Sequence, residues 1–120
     1  MPAEWCAHQR TFLSWPIQAS MCYPEDYNSV CKEYYQILVK AIAEFEPVTV
    51  IINPEESEEF QAIVQDEETR FPVDYLTIPH NDAWLRDNGP TFVVNDQGKI
   101  AGINWEFNAW GRKYSPWDLD

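Results

Sequence analysis

Two carboxylates five residues apart, Asp82 and Asp87, bracket a tryptophan in the run Pro79-His80-Asn81-Asp82-Ala83-Trp84-Leu85-Arg86-Asp87-Asn88-Gly89-Pro90, and an arginine stands beside the second. A carboxylate presents two parallel acceptor oxygens whose spacing matches a planar guanidinium. An indole face adds cation–π attraction of about 0.5–2 kcal/mol, depending on solvation. Asp82 or Asp87, together with Trp84, can therefore grip a guanidinium or an ammonium group. An internal arrangement competes with this reading, in which Arg86 pairs with Asp82 or Asp87 while Trp84 packs in a core.

A second run, 104–117, reads Asn-Trp-Glu-Phe-Asn-Ala-Trp-Gly-Arg-Lys-Tyr-Ser-Pro-Trp and gathers three Trp, a Phe, a Tyr and Glu106. Gly111 permits an unusual backbone turn. The run suits one wall of an aromatic pocket, and equally a core edge followed by a turn. His8 and His80 lack metal-ligand spacing, so no metal site is assigned. Cys6, Cys22 and Cys31 are odd in number and form no CxxC pair, which excludes a disulfide framework. None lies in a segment with a Gly-rich turn or a local base, so each is read as a small buried residue rather than a nucleophile.

The elements that must position these runs alternate along the chain. Thr11-Phe12-Leu13-Ser14-Trp15 reads as a strand closed by Pro16. Residues 26–46 carry a helical period through Val30, Tyr34, Leu38, Ile42 and Phe45, with Asp26 or Asn28 as cap and Pro47 after the end. Val48-Thr49-Val50-Ile51-Ile52 is a continuous β-branched run, which suits a strand buried on both faces. Asn53-Pro54 places a favoured cap and a first-turn proline at the start of a second helix. Its acidic face, Glu55, Glu56, Glu58 and Glu59, suits the positive end of the helix dipole, and Phe60, Ile63 and Val64 supply its apolar side. Val73-Asp74-Tyr75-Leu76-Thr77-Ile78 alternates as a strand. Thr91-Phe92-Val93-Val94 and Lys99-Ile100-Ala101-Gly102-Ile103 flank the turn-rich tetrad Asn95-Asp96-Gln97-Gly98 and predict a β-hairpin. The order β-α-β-α-β-β-β makes an α/β chain, with 79–90 as a loop between a strand and the hairpin, where binding residues commonly sit.

The 120 residues fit one small domain, and 20 acidic against 8 basic side chains leave a net charge of −12. That balance excludes nucleic acid held by a basic footprint and disfavours anionic membrane surfaces, while it attracts a small cation. The first residues lack a signal peptide's apolar stretch and no run approaches membrane-spanning length, so the cytoplasm is the expected compartment. The chain stops in the aromatic and acidic stretch 116–120, which predicts a longer protein.

The same residues resemble the agmatine deiminase family, bacterial and plant relatives of the peptidyl-arginine deiminases. Met1-Pro2-Ala3-Glu4-Trp5, His8 and Thr11-Phe12-Leu13-Ser14-Trp15-Pro16 look like the family's opening, although its members usually carry Trp where Phe12 stands. Residues 82–92 are similar to its DxWxRDxGPTF motif. Asn104-Trp105-Glu106-Phe107-Asn108-Ala109-Trp110-Gly111 resembles its (D/N)WxFNAWG motif, continued by Tyr114, Pro116, Trp117 and Asp120. The resemblance implies a pentein, a fan of five ββαβ-type blades, of which residues 1–120 would be the N-terminal portion, about one blade and the start of the next. It implies cofactor-free hydrolysis of agmatine to N-carbamoylputrescine and ammonia. A Cys thiolate and a His would act from beyond these residues, leaving the 120 residues inactive alone. Asp87 matches the guanidinium-binding carboxylate. Asn81, Asp82, Trp84 and Arg86 match neighbours that shape the site or brace Asp87, with Trp110 and Asn108 on the pocket wall. The implied partner is a small guanidino substrate, with neither nucleic acid nor membrane, and a homo-oligomer is compatible with it. Two other readings stand beside it: a deiminase of peptidyl arginine, and a non-catalytic acidic module in which Trp84, Trp105 and Trp110 cage a cation.

Overall fold

The β-branched run at 48–52 becomes the centre of the fold. The computed structural model describes residue 3 and residues 5–17, 32–64 and 68–120. In it β2 (Val48–Ile52) lies between β1 (Thr11–Ser14) and β3 (Val73–Thr77), and both pairings are parallel. Val48, Val50 and Ile52 on one face of β2 are fully buried, and Thr49 on the other is nearly so, as a strand covered on both sides requires. Thr11 pairs with Val48 and Val48 with Val73, so the strands run level and finish at one edge. Trp15, Asn53 and His80 stand just past that edge.

Parallel neighbours need crossover connections. α1 (Lys32–Ala43) lies between β1 and β2, and α2 (Ser57–Val64), entered through a tight turn at Pro54–Glu56, lies between β2 and β3. Phe60 of α2 packs edge-on against Trp15, with ring centroids 5.1 Å apart, and against Tyr75 of β3 at 5.8 Å. Val39 and Ala43 of α1 complete the buried cluster. A hairpin of β4 (Thr91–Val94) and β5 (Ile100–Ile103) forms a separate antiparallel pair. Its turn is closed by the Asn95 side chain, which accepts from the Gln97 and Lys99 amides at 3.0 and 2.9 Å. Phe92, Val94 and Ile100 stay exposed on it. Among the described residues no helix is long and apolar enough to cross a membrane.

Several expectations are corrected. The buried face of α1 is not the Leu38 and Phe45 stripe. Leu38 is exposed, Ile42 is partly buried, and Phe45 lies past the helix end at 80% exposure. Two apolar rows compete on this helix, and the one with Val39 and Ala43 is buried in the core cluster, with Ile42 packed partly against it. Asn53 does stand before the turn with Pro54 behind it, but its side chain makes no cap hydrogen bond. Cys6 is exposed rather than buried, because residues 5–10 lie outside the core. Cys22, Cys31, Asp26, Asn28 and Val30 fall outside the described residues.

A polar clip joins the start of β1 to the end of the first crossover. The Thr11 hydroxyl donates to Glu46, and His8 Nδ1 lies 3.1 Å from Glu46 Oε2. The Thr11 hydrogen bond is the main reason the Glu46 carboxyl sits below its ordinary value of 4.5. Partial burial opposes this, and His8 adds to the lowering. A carboxyl lowered by folding stabilises the fold above its unfolded pKa, and that share is lost as pH falls through the lower folded value. Glu46→Gln should therefore narrow the stability difference between pH 6 and the acid range just below 4.5, without abolishing it, in thermal melts across that range. The exposure of the clip keeps the effect to about 1 kcal/mol or less.

Candidate active site

The segment after β3 is fastened at the common strand edge before it reaches Asp87. His80 is buried, with Nε2 2.9 Å from the Trp15 carbonyl oxygen and Nδ1 3.0 Å from that of Ile78. The Asn53 amide grips the His80 backbone from the other side. Its Oδ1 accepts from His80 N at 2.9 Å and its Nδ2 donates to His80 O at 3.2 Å. The ends of all three strands thus meet on one residue.

The next two amides, of Asn81 and Asp82, both donate to Asp120 Oδ1, at 2.7 and 3.1 Å. The Asn81 side chain in turn accepts from Leu119 N at 2.9 Å. Burial raises the Asp120 carboxyl from its ordinary value. The two N–H donors resist that shift, and the charge of Asp82 adds to it. Asp82 Oδ1 accepts from the Ala83 amide at 2.7 Å. Asn81 is thereby a brace for the segment. Sequence reasoning placed Asp120 in a motif without giving it this anchoring role.

From Trp84 the chain makes one helical turn, α3 (Leu85–Asn88), inside what the sequence presents as a loop. The Trp84 carbonyl accepts from Asp87 N and Asn88 N at 2.9 and 3.1 Å. A Cβ on Gly89 would lie 2.4 Å from the Leu85 carbonyl oxygen, so the residue that ends this turn has to be glycine. The turn leaves Asp87 and Arg86 exposed and Asp82 half-buried.

The second aromatic run returns to the same place. Trp110 stands at the centre of a cluster, edge-to-face with Phe107 at 5.2 Å, Tyr114 at 5.7 Å and Trp84 at 6.5 Å. Its indole N–H donates to Asp87 Oδ1 over 3.4 Å, across 23 residues of sequence. Phe107 and Tyr114, the Phe and Tyr of the aromatic run read from the sequence, supply two of these contacts. Asn108 caps the turn α4 (Ala109–Arg112), where its side chain accepts from Gly111 N at 2.8 Å. Trp105 does not join Trp84 and Trp110: its N–H donates to Thr91 at the root of the hairpin, at 2.9 Å, and it makes no ring contact with either among the described residues. The three-tryptophan cage is therefore not assembled.

An exposed carboxylate at the edge of an indole cluster can receive a planar cation edge-on at its oxygens. The sequence model of the Porphyromonas-type peptidyl-arginine deiminase family matches residues 1–120. The chain belongs to that family. It is 39% identical to the agmatine deiminase of Ectopseudomonas mendocina over 127 residues, covering all of this chain and 32% of that protein. The agmatine deiminase of Pseudomonas syringae pv. syringae is 38% identical with the same coverage. The chain thus spans about a third of the length of the curated relatives it matches. Among solved structures it is similar to the agmatine deiminase of Enterococcus faecalis, with 34% identity and a TM-score of 0.72 over 92% of this chain and 30% of that one. It is also similar to the substrate-bound C315S agmatine deiminase of C. jejuni, with 29% identity and a TM-score of 0.67 over 92% of this chain and 31% of that one.

Proposed function

We propose that residues 1–120 are the N-terminal portion of a single pentein deiminase domain, about one blade and the start of the next. In this reading the complete protein hydrolyses the guanidinium of agmatine to N-carbamoylputrescine and ammonia, a step toward putrescine. The observation that carries the reading is the exposed Asp87 carboxylate, which accepts from the Trp110 indole N–H while the Trp84 ring sits edge-to-face with Trp110. Asp87 holds the guanidinium flat through paired hydrogen bonds, with Trp84 in the wall of the pocket. A net charge of −12 favours encounter with a cation.

The chemistry then follows from groups beyond these residues. A cysteine thiolate adds to the guanidinium carbon, and the C–N bond to one amino group breaks. A histidine supplies the proton with which that group leaves as ammonia. Water, deprotonated by the same histidine, adds to the amidino carbon. The C–S bond breaks and the ureido product leaves. Nothing in this sequence of steps calls on a metal or a cofactor.

The family's own description names peptidyl arginine, which supports a second substrate reading. The two separate in one assay of ureido product, in which the complete protein is offered agmatine or a peptide ending in arginine. Agmatine is expected to be turned over at the higher kcat/KM, while the 120 residues alone, as control, form no product. Preference for the peptide would replace the substrate proposed here, and product from the 120 residues alone would overturn the assignment of the nucleophile to a later part of the protein.

A further inference from the structure

The backbone that carries Trp110 is the most strained in the described chain. Ala109, Trp110, Gly111 and Arg112 all have positive φ, at 51°, 54°, 87° and 62°. Three of the four carry side chains, for which left-handed backbone is disfavoured because Cβ crowds the following carbonyl. Such strain persists where the surroundings over-determine it, which is commonly where geometry is used. The surroundings here are explicit. Asn108 O accepts from Arg112 N at 2.6 Å, Ala109 O from Lys113 N at 3.1 Å, and the Asn108 side chain from Gly111 N, while Ala109 is buried beneath the turn.

This turn directs the Trp110 ring into three edge-to-face contacts and its N–H onto Asp87. That hydrogen bond engages a single lone pair of Oδ1. Oδ2 accepts no hydrogen bond among the described residues, so one oxygen is pinned and the rest of the carboxylate is available to a ligand. A wall residue would supply area to substrate. A donor to the carboxylate instead limits the rotation of the group that must hold the guanidinium in line. We propose that Trp110 is a positioning residue: set by the left-handed turn 109–112, its indole N–H fixes the orientation of the Asp87 carboxylate for a planar guanidinium. The proposal rests on the deiminase reading given above.

The test uses the complete protein with agmatine and two changes at position 110. Trp110→Phe keeps a ring but loses the donor. Incorporation of 3-benzothienylalanine keeps the indole shape with sulfur in place of N–H. Both are expected to lower kcat about tenfold, the scale of one lost hydrogen bond, with KM changed by less than about threefold. A raised KM with kcat intact would make Trp110 a wall, and full activity of the sulfur isostere would remove the role altogether; either overturns the proposal. The hydrogen bond itself is read without turnover: the indole N–H resonance of Trp110 should shift in Asp87→Ala, and its failure to move would also overturn the proposal. Undiminished turnover by Asp87→Asn would instead sink the deiminase reading, whatever the resonance does.

Discussion

Asp87→Asn in the complete protein is expected to cost at least about a hundredfold in kcat/KM toward agmatine while shifting stability by no more than about 0.5 kcal/mol. Asparagine is nearly the same size as aspartate, and its carbonyl oxygen can still accept from Trp110, so the side-chain hydrogen bond of Asp87 among the described residues survives. The side chain is exposed, which leaves little packing to lose. The ligand side changes more. The negative charge goes, and an NH2 donor replaces one of the two acceptors that face the guanidinium donors. A hydrogen bond to a charged partner is worth about 1.5–3 kcal/mol, or roughly tenfold per 1.36 kcal/mol. Misalignment of the reacting carbon adds a factor of its own, because small displacements from the attack geometry are costly. Steady-state kinetics and a thermal melt on the same preparation check both halves. If the variant instead melts early and its kinetics merely follow its unfolding, Asp87 has an internal structural role and the ligand-binding role fails.

The parts of the fold legible in the sequence are those where local chemistry admits a single solution. Val48-Thr49-Val50-Ile51-Ile52 has no polar face to show to water, so its place between two strands follows. Asn95-Asp96-Gln97-Gly98 bends where an αL glycine and an Asn side chain can close a hairpin, and Gly98 does adopt a φ of 76°. The face of α1 was not legible because two apolar rows share the helix, and local periodicity does not choose between them. In the site, Asp82, Trp84 and Asp87 announce themselves as a group by type and spacing, while the choice of Asp87 over Asp82 comes only from the family resemblance. The meeting of Trp84 and Asp87 with Trp110 is not announced in that way, because it depends on Ala109, Trp110 and Arg112 entering a backbone region that their side chains disfavour. Gly111 is the single local hint. The brace on Asn81 and Asp82 was equally hidden, since the Asp120 carboxylate reaches them only once the hairpin has reversed the chain.

Asn53 shows the same limit, and it carries the second large expected effect. Its position before Pro54 marks it as a helix cap, and both residues of that signal are where they should be, yet the amide side chain caps nothing. It closes a two-bond ring on the His80 peptide at the edge where β1, β2 and β3 end. Asn53→Ala leaves a buried N–H and a buried carbonyl without partners, each costing about 1–3 kcal/mol, so a loss of about 2–6 kcal/mol is expected. This is a large share of the roughly 5–15 kcal/mol that stabilises a typical domain. Turnover should fall with it, because His80 is the residue from which the 81–90 segment starts. Loss of a cap alone would cost about 0.5–2 kcal/mol, which overlaps the low end, so alanine by itself is a weak discriminator. Asn53→Asp separates the two. Aspartate caps helices about as well as asparagine, so a capping role predicts little change. A clamp on His80 predicts a loss close to that of alanine, because aspartate has no Nδ2 to give the His80 carbonyl and places an anion beside it in a buried site. Chemical denaturation of the three proteins at neutral pH decides the matter: an aspartate variant as stable as the parent would return Asn53 to the cap and release the strand edge from its part in holding the site.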